Sequence, residues 1–160
     1  IKEGDIFPNK KITLVSAEGN NEIETDKIFS KKKVILFAIP GAFSPTCNND
    51  HLPSYVSKFV ELKDKGIDNI VCLSVNDQFV IKAWQGFNKV WEKDFLFIAD
   101  GNCDVTKSLG MVLDCSGFGM GNRSNRYAMI IEDKVVKKLI IEENPGVCDL
   151  TNATEILKFL

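Results

Sequence analysis

The sequence is poor in the residues that build metal sites and disulfide frameworks. It holds one histidine, His51, and five cysteines, at positions 47, 72, 103, 115 and 148, with no Cys-x-x-Cys pair. One histidine is too few for a Cys/His zinc site, and an odd cysteine count argues against a disulfide framework. Mostly buried thiols in a reducing compartment fit better, with one of them possessing reactivity. No apolar run is long enough for a membrane. The longest, Val34 to Phe43, is interrupted by Pro40 and Gly41 and is about half the ~20 residues a span needs. Excess charge of one sign is also missing. Twenty basic residues face 22 acidic ones, a formal net charge of -2, which excludes the basic footprint of a nucleic-acid binder and gives no reason to expect an anionic membrane surface as partner. Arginine is scarce: only Arg123 and Arg126 stand against 18 lysines.

The 160 residues, 44% apolar and 26% charged, have ordinary globular composition and predict one domain over residues 1–160 with a sizeable core. No repeat, linker or low-complexity block interrupts them. Strands are expected at Ile12–Val15, Val34–Ile39, Ile70–Val75, Phe95–Ala99, Tyr127–Ile131 and Val135–Ile141, runs rich in β-branched and aromatic residues. Val34–Ile39 and Ile70–Val75 are almost continuously apolar, as central strands covered on both faces should be. Helical spacing runs from about Thr46 to Lys65, with Ser44 as N-cap, Pro45 as first helical residue and Gly66 as stop signal. A second helix begins near Asp77, with Val80, Ile81, Trp84 and Phe87 on one face. Short helices are expected at Asp104–Leu109 and Thr151–Leu160, and a tight turn at Glu132–Lys134 joins the last two strands as a hairpin. This alternation describes an α/β fold with a mixed central β-sheet flanked by helices.

The sharpest local feature is Pro40-Gly41-Ala42-Phe43-Ser44-Pro45-Thr46-Cys47. It follows a buried strand and opens the long helix, so Cys47 falls in the first helical turn. Free backbone N–H groups and the positive helix end favour an anion there, and the thiolate is the nucleophilic form of cysteine. The plainer reading is a small apolar side chain buried at a helix start. His51, four residues on, could share a helix face with Cys47 as the seed of a cysteine hydrolase. Within one helix the two side chains point outward in parallel, so a structural hydrogen-bonding histidine, dispensable for chemistry at Cys47, is the expected role. Arg123 and Arg126 lie together at the entry to the strand from Tyr127. A guanidinium offers a rigid fork of donors and a permanent charge that lysine cannot copy. One reaching Cys47 would favour the thiolate and orient a polar substrate atom. The alternative is a pair of surface arginines in a loop. Ser116–Asn122 does not fit a nucleotide-binding GxGxxG. It reads as a mobile apolar lid with Phe118 and Met120 at a pocket mouth, or as an exposed turn. Cys148 is the one candidate for a second redox thiol.

Taken with His51-Leu52-Pro53, the segment Pro40–Cys47 resembles the active-site segment of type II (peroxiredoxin-five-like) peroxiredoxins. The similarity continues through Cys72–Asp77, Lys82-Ala83-Trp84, Ala99-Asp100-Gly101 and Gly121–Tyr127, covering essentially the whole chain. The resemblance implies a thioredoxin-like fold and a thiol peroxidase that reduces hydrogen peroxide and alkyl hydroperoxides without metal, flavin or nucleotide. It implies Cys47 as peroxidatic cysteine, Pro40 as its shield, Ser44 (where the family usually has Thr) bonding thiolate and peroxide, Arg126 as the active-site arginine and Arg123 as a second basic residue. Leu150 stands where members with an internal resolving cysteine carry it. A one-cysteine enzyme is therefore implied, recycled by glutathione and glutaredoxin or by thioredoxin, and forming a homodimer. The chain begins at Ile1, leaving the cytosol open, and the mitochondrion or plastid after loss of a targeting peptide. A hydrolase using Cys47 and His51, and a non-enzymatic redox-sensing or holdase module, are the competing readings.

Overall fold

An extended chain alternates its side chains between two sides, and here both sides are apolar. The computed structural model describes residues 1–160. Its strands are β1 (Lys11–Ser16), β2 (Gly19–Glu24), β3 (Lys33–Ile39), β4 (Asn69–Ser74), β5 (Phe95–Ala99), β6 (Val112–Asp114), β7 (Asn122–Ser124), β8 (Tyr127–Glu132) and β9 (Val135–Ile141). Its α-helices are α1 (Asp26–Phe29), α2 (Leu52–Ser57), α3 (Phe59–Asp64), α4 (Gln78–Phe87), α5 (Asp104–Ser108) and α6 (Ala153–Leu157). From β3, Ile35, Phe37 and Ile39 face one layer, where they meet Leu52, Tyr55, Trp84 and Ile156. Val34, Leu36 and Ala38 face the other, against Phe7, Phe29, Val105 and Leu109. Each fully buried Leu, Ile or Phe is worth about 1.5–3 kcal/mol, so the two layers fix both the register and the sidedness of the sheet.

Seven strands form that sheet in the order β2-β1-β5-β4-β3-β8-β9. Strands β3, β4 and β5 run parallel, while β8, β9, β1 and β2 add antiparallel pairs at the two sides. The mixed sheet flanked by helices is the expected architecture. Asp77 caps α4 by accepting from the backbone N–H groups of Phe79 and Val80. The β8–β9 hairpin turns through Asp133 and Lys134, both at positive φ, the backbone form that a two-residue hairpin turn demands.

Several elements differ from the sequence-based expectation. Strand β2 was not anticipated because Gly19-Asn20-Asn21-Glu22 is polar and mostly exposed, an edge strand with no apolar alternation. The short β6–β7 ladder is similarly silent. Phe87 lies off the buried face of α4 and packs its exposed ring against Phe43. The long helix covers the expected span but is not uniform: it widens to a π-turn at Cys47–His51 and is interrupted at Lys58. No helix is long and apolar enough to cross a membrane.

Candidate active site

The chain leaves β3 at Ile39 and must reverse within a few residues to lay the next helix on the sheet. Phe43 adopts a left-handed backbone, φ 64°, uncommon for a bulky residue, and its ring rests against Phe87 and Trp84 at centroid distances of 5.6 and 6.5 Å. The carbonyl of Ser44 accepts the Asn48 N–H at 2.8 Å, so the helix starts at Pro45, whose missing N–H would have been unpaired there anyway. The Ser44 hydroxyl does not cap the helix. It donates to the Gly41 carbonyl at 2.6 Å, fastening the turn to itself.

Cys47 opens the π-turn, and its carbonyl accepts from Leu52, five residues on. Such widened turns are rare and recur at functional sites. Cys47 is fully buried. Arg126 arrives from the far end of the chain. Strand alternation from Ala128 and Ile130, which lie in the Cys47 layer, carries it to the same side of the sheet. Its guanidinium donates from Nη2 to Cys47 Sγ at 3.1 Å, from Nη1 to His51 Nδ1 at 2.9 Å and from Nε to the Pro145 carbonyl at 3.0 Å. With Nδ1 accepting, the His51 proton sits on Nε2, which donates to the Thr151 carbonyl at 3.2 Å. Burial, reinforced by the charge of Arg126, pushes His51 down to about 3, so the ring is neutral at neutral pH.

The expectation that His51 is a hydrogen-bonding residue holds, but its dispensability for chemistry does not follow from the geometry. It is one of three groups that hold the guanidinium. Sequence spacing pairs His51 with Cys47 and misses Arg126 between them. The scarcity of both residue types, one His and two Arg, was the available signal. Arg123 makes no hydrogen bond to the sulfur: it donates to the carbonyls of Met120 at 2.8 Å and Val75 at 2.9 Å, tying the Ser116–Gly121 loop to the end of β4.

A cavity of about 500 Å³ is lined by Pro40, Ser44, Pro45, Thr46 and Arg126 together with Leu113, Cys115, Phe118, Met120 and Pro145. Pro40, Ser44 and Arg126 thus border one cavity, and Arg126 connects it to the buried sulfur of Cys47. The loop that carries Phe118 and Met120 is bonded to itself through the Cys115 carbonyl, which accepts from both residues. The other thiols are poorly placed for nucleophilic work. Burial pushes Cys72, Cys103 and Cys115 upward, and lifts Cys148 to about 11 despite the opposing bond from Thr151.

A mixed sheet flanked by helices, with a buried cysteine held by an arginine beside a mostly apolar cavity, is the outline of a thioredoxin-like thiol enzyme. Comparison with known proteins agrees. The redoxin family model matches residues 2–157. Peroxiredoxin-2D of Arabidopsis thaliana is 42% identical over 163 residues, spanning 100% of this chain and 98% of that protein. The chloroplastic peroxiredoxin-2E-2 of Oryza sativa subsp. japonica is 40% identical over 164 residues, spanning 100% of this chain and 72% of that protein. The crystal structure of reduced Prx3 from Vibrio vulnificus in complex with H2O2 superposes with a TM-score of 0.91 at 43% identity, covering 99% of this chain and 98% of that one. The chain belongs to the redoxin family, in the type II (peroxiredoxin-five-like) branch that its active-site segment resembles, and is a thiol peroxidase.

Proposed function

We propose that Cys47 is the peroxidatic cysteine of a one-cysteine enzyme that reduces hydrogen peroxide and alkyl hydroperoxides and is recycled by an external thiol. The observation that carries this reading is the 3.1 Å contact from Arg126 Nη2 to Cys47 Sγ. A fixed cation on a buried sulfur supports thiolate attack, since the thiolate is the nucleophile and charge-assisted bonds are about twice as strong as neutral ones. The sulfur attacks one peroxide oxygen. The S–O bond forms as the O–O bond breaks, and the leaving oxygen departs as water or alcohol after taking a proton. Sulfur is oxidised to a sulfenic acid and the peroxide is reduced. Negative charge spreads over sulfur and both oxygens in the transition state. Arg126 and the Cys47 backbone N–H stabilise it, Ser44 accepts or donates once its hydroxyl turns from Gly41, and Pro40 excludes water.

A thiol of glutathione, glutaredoxin or thioredoxin then attacks the sulfenic sulfur, releasing water and leaving a mixed disulfide. A second thiol restores Cys47 and carries away the oxidised pair. Cys148, pushed to about 11 by burial, supports an external rather than an internal resolver. The five free thiols support a reducing intracellular compartment, whether cytosol, mitochondrion or plastid. The working form in this reading is a homodimer, supported by exposed apolar surface at Phe43, Phe87 and Trp91. The hydrolase alternative is disfavoured because the Nδ1 lone pair of His51 is occupied by Arg126, leaving no base for Cys47.

The test is to mix the reduced protein with one equivalent of hydrogen peroxide and weigh the Cys47 peptide. A lone sulfenic acid, or a glutathione adduct when glutathione is added, is expected. A Cys47–Cys148 disulfide would overturn the one-cysteine reading, and an unmodified Cys47 would overturn its role altogether.

A further inference from the structure

Arg126 is held from behind by a segment that contributes no reacting atom. The chain leaves β9 at Ile141, and Glu142 follows, buried, with its backbone N–H donating to the Arg126 carbonyl at 2.9 Å. The Glu142 carboxylate turns back on its own chain. Its Oε1 accepts from the Leu150 N–H at 2.6 Å, the Thr151 N–H at 2.9 Å and the Thr151 hydroxyl at 3.1 Å. Those three bonds close residues 142–151 into a strap. The strap presents three carbonyls to the site: Pro145 O to Arg126 Nε, Gly146 O to the Thr46 hydroxyl at 2.7 Å, and Thr151 O to both His51 Nε2 and the Tyr55 hydroxyl, the latter at 2.7 Å. Of the three groups that fix the guanidinium, Pro145 belongs to the strap and His51 is oriented by it. Cys47 is the third.

We propose that Glu142 is a positioning residue for Arg126, closing the 142–151 strap whose carbonyls hold the guanidinium and its His51 partner in line with Cys47. The inference rests on the reading that Arg126 acts on Cys47 in peroxide reduction. A carboxylate accepting three donors is a rigid clasp, and misplacement of a catalytic group by about 1 Å can cost on the order of 10²-fold. Thr151 is the hinge between the two arms, because its N–H and hydroxyl bind Glu142 while its carbonyl receives His51.

The experiment is a double-mutant cycle on the full chain, reading the single-turnover rate of Cys47 oxidation by hydrogen peroxide. Glu142→Ala should slow it by at least about tenfold. Glu142→Gln, whose amide oxygen accepts the same three bonds, should stay within about twofold of the native rate. In an Arg126→Met background, Glu142→Ala should slow the reaction no further, because the guanidinium it would position is gone. Additive losses would mean a general structural effect and would overturn the proposal, as would a native rate in Glu142→Ala. If Glu142→Ala does not fold, Thr151→Val removes one of the three bonds and leaves the carbonyl. It should slow oxidation less, and again only with Arg126 present. A native rate in Arg126→Met alone would instead sink the role of Arg126, a result distinct from failure of the strap.

Discussion

Arg126 reaches Cys47 across 79 positions of sequence to place Nη2 at 3.1 Å from the sulfur. The remaining guanidinium nitrogens bind His51 and Pro145, so the fork cannot swing without breaking both. The three N–H donors of a lysine ammonium radiate from one compact nitrogen, which cannot reach acceptors spaced around three separate guanidinium nitrogens. Arg126→Lys is expected to lower the rate of Cys47 oxidation by about 10²–10³-fold, the usual cost of one preorganised donor at a developing charge. Its effect on folding should be confined to roughly 1–3 kcal/mol for the buried acceptors left short of a donor. Stopped-flow oxidation and urea unfolding of the same variant separate the two; an unchanged oxidation rate would remove Arg126 from the mechanism.

His51 links the site to acid stability. In the folded chain it is pushed to about 3, against an ordinary value of 6.5. Between those values the unfolded chain binds the extra proton and the folded one does not, so stability falls as pH drops from 6.5 toward 3 and is fully present above that window. His51→Asn keeps an acceptor near the Nδ1 position but does not titrate. Its stability should therefore change less than that of the native protein between pH 7 and pH 4.5. Paired urea titrations at both pH values provide the check, and parallel losses would contradict the buried, neutral ring.

Much of this arrangement is legible in the residues themselves. The all-apolar runs Val34–Ile39 and Ile70–Val75 become β3 and β4 in the sheet centre, with parallel pairing between them. Cys47 at a helix start follows from the punctuation Ser44-Pro45. What escapes is of two kinds. Strand β2 is exposed and polar, so its pairing with β1 leaves no apolar trace. The contacts of Arg126 depend on tertiary closure, because nothing local in the sequence links position 126 to 47, 51 or 145. The π-turn is likewise invisible, since the extra residue in Cys47–His51 changes the hydrogen-bond pattern and not the spacing of apolar side chains.

Ser44 is the one site residue whose hydroxyl is already committed elsewhere, to Gly41 O at 2.6 Å. Ser44→Ala removes both the loop clasp and a hydroxyl from the cavity lining. A slowing of about fivefold is expected, in line with a single lost hydrogen bond of about 1 kcal/mol. Ser44→Thr should restore the native rate, because the hydroxyl stays and the added methyl stiffens its rotamer. Equal rates in Ala and Thr variants would show that the hydroxyl takes no part.

Phe118 and Met120 line the same cavity as Arg126 and give it an apolar wall. Phe118 is 85% exposed, while Met120 is partly buried and close to Gly41, where an added Cβ would lie 3.1 Å from its terminal methyl. An apolar wall interacts with the organic part of a peroxide and not with hydrogen peroxide, which is too small to span the cavity. Phe118→Ala should therefore raise KM for a bulky alkyl hydroperoxide several-fold, the effect of losing roughly 1 kcal/mol of apolar contact, and leave hydrogen peroxide kinetics unchanged. Met120→Ala should do the same and also loosen the Gly41 turn, giving a modest loss in kcat with both substrates. Steady-state kinetics with hydrogen peroxide and cumene hydroperoxide in parallel distinguish these outcomes, and equal effects of Phe118→Ala on both peroxides would show that the wall does not contact substrate.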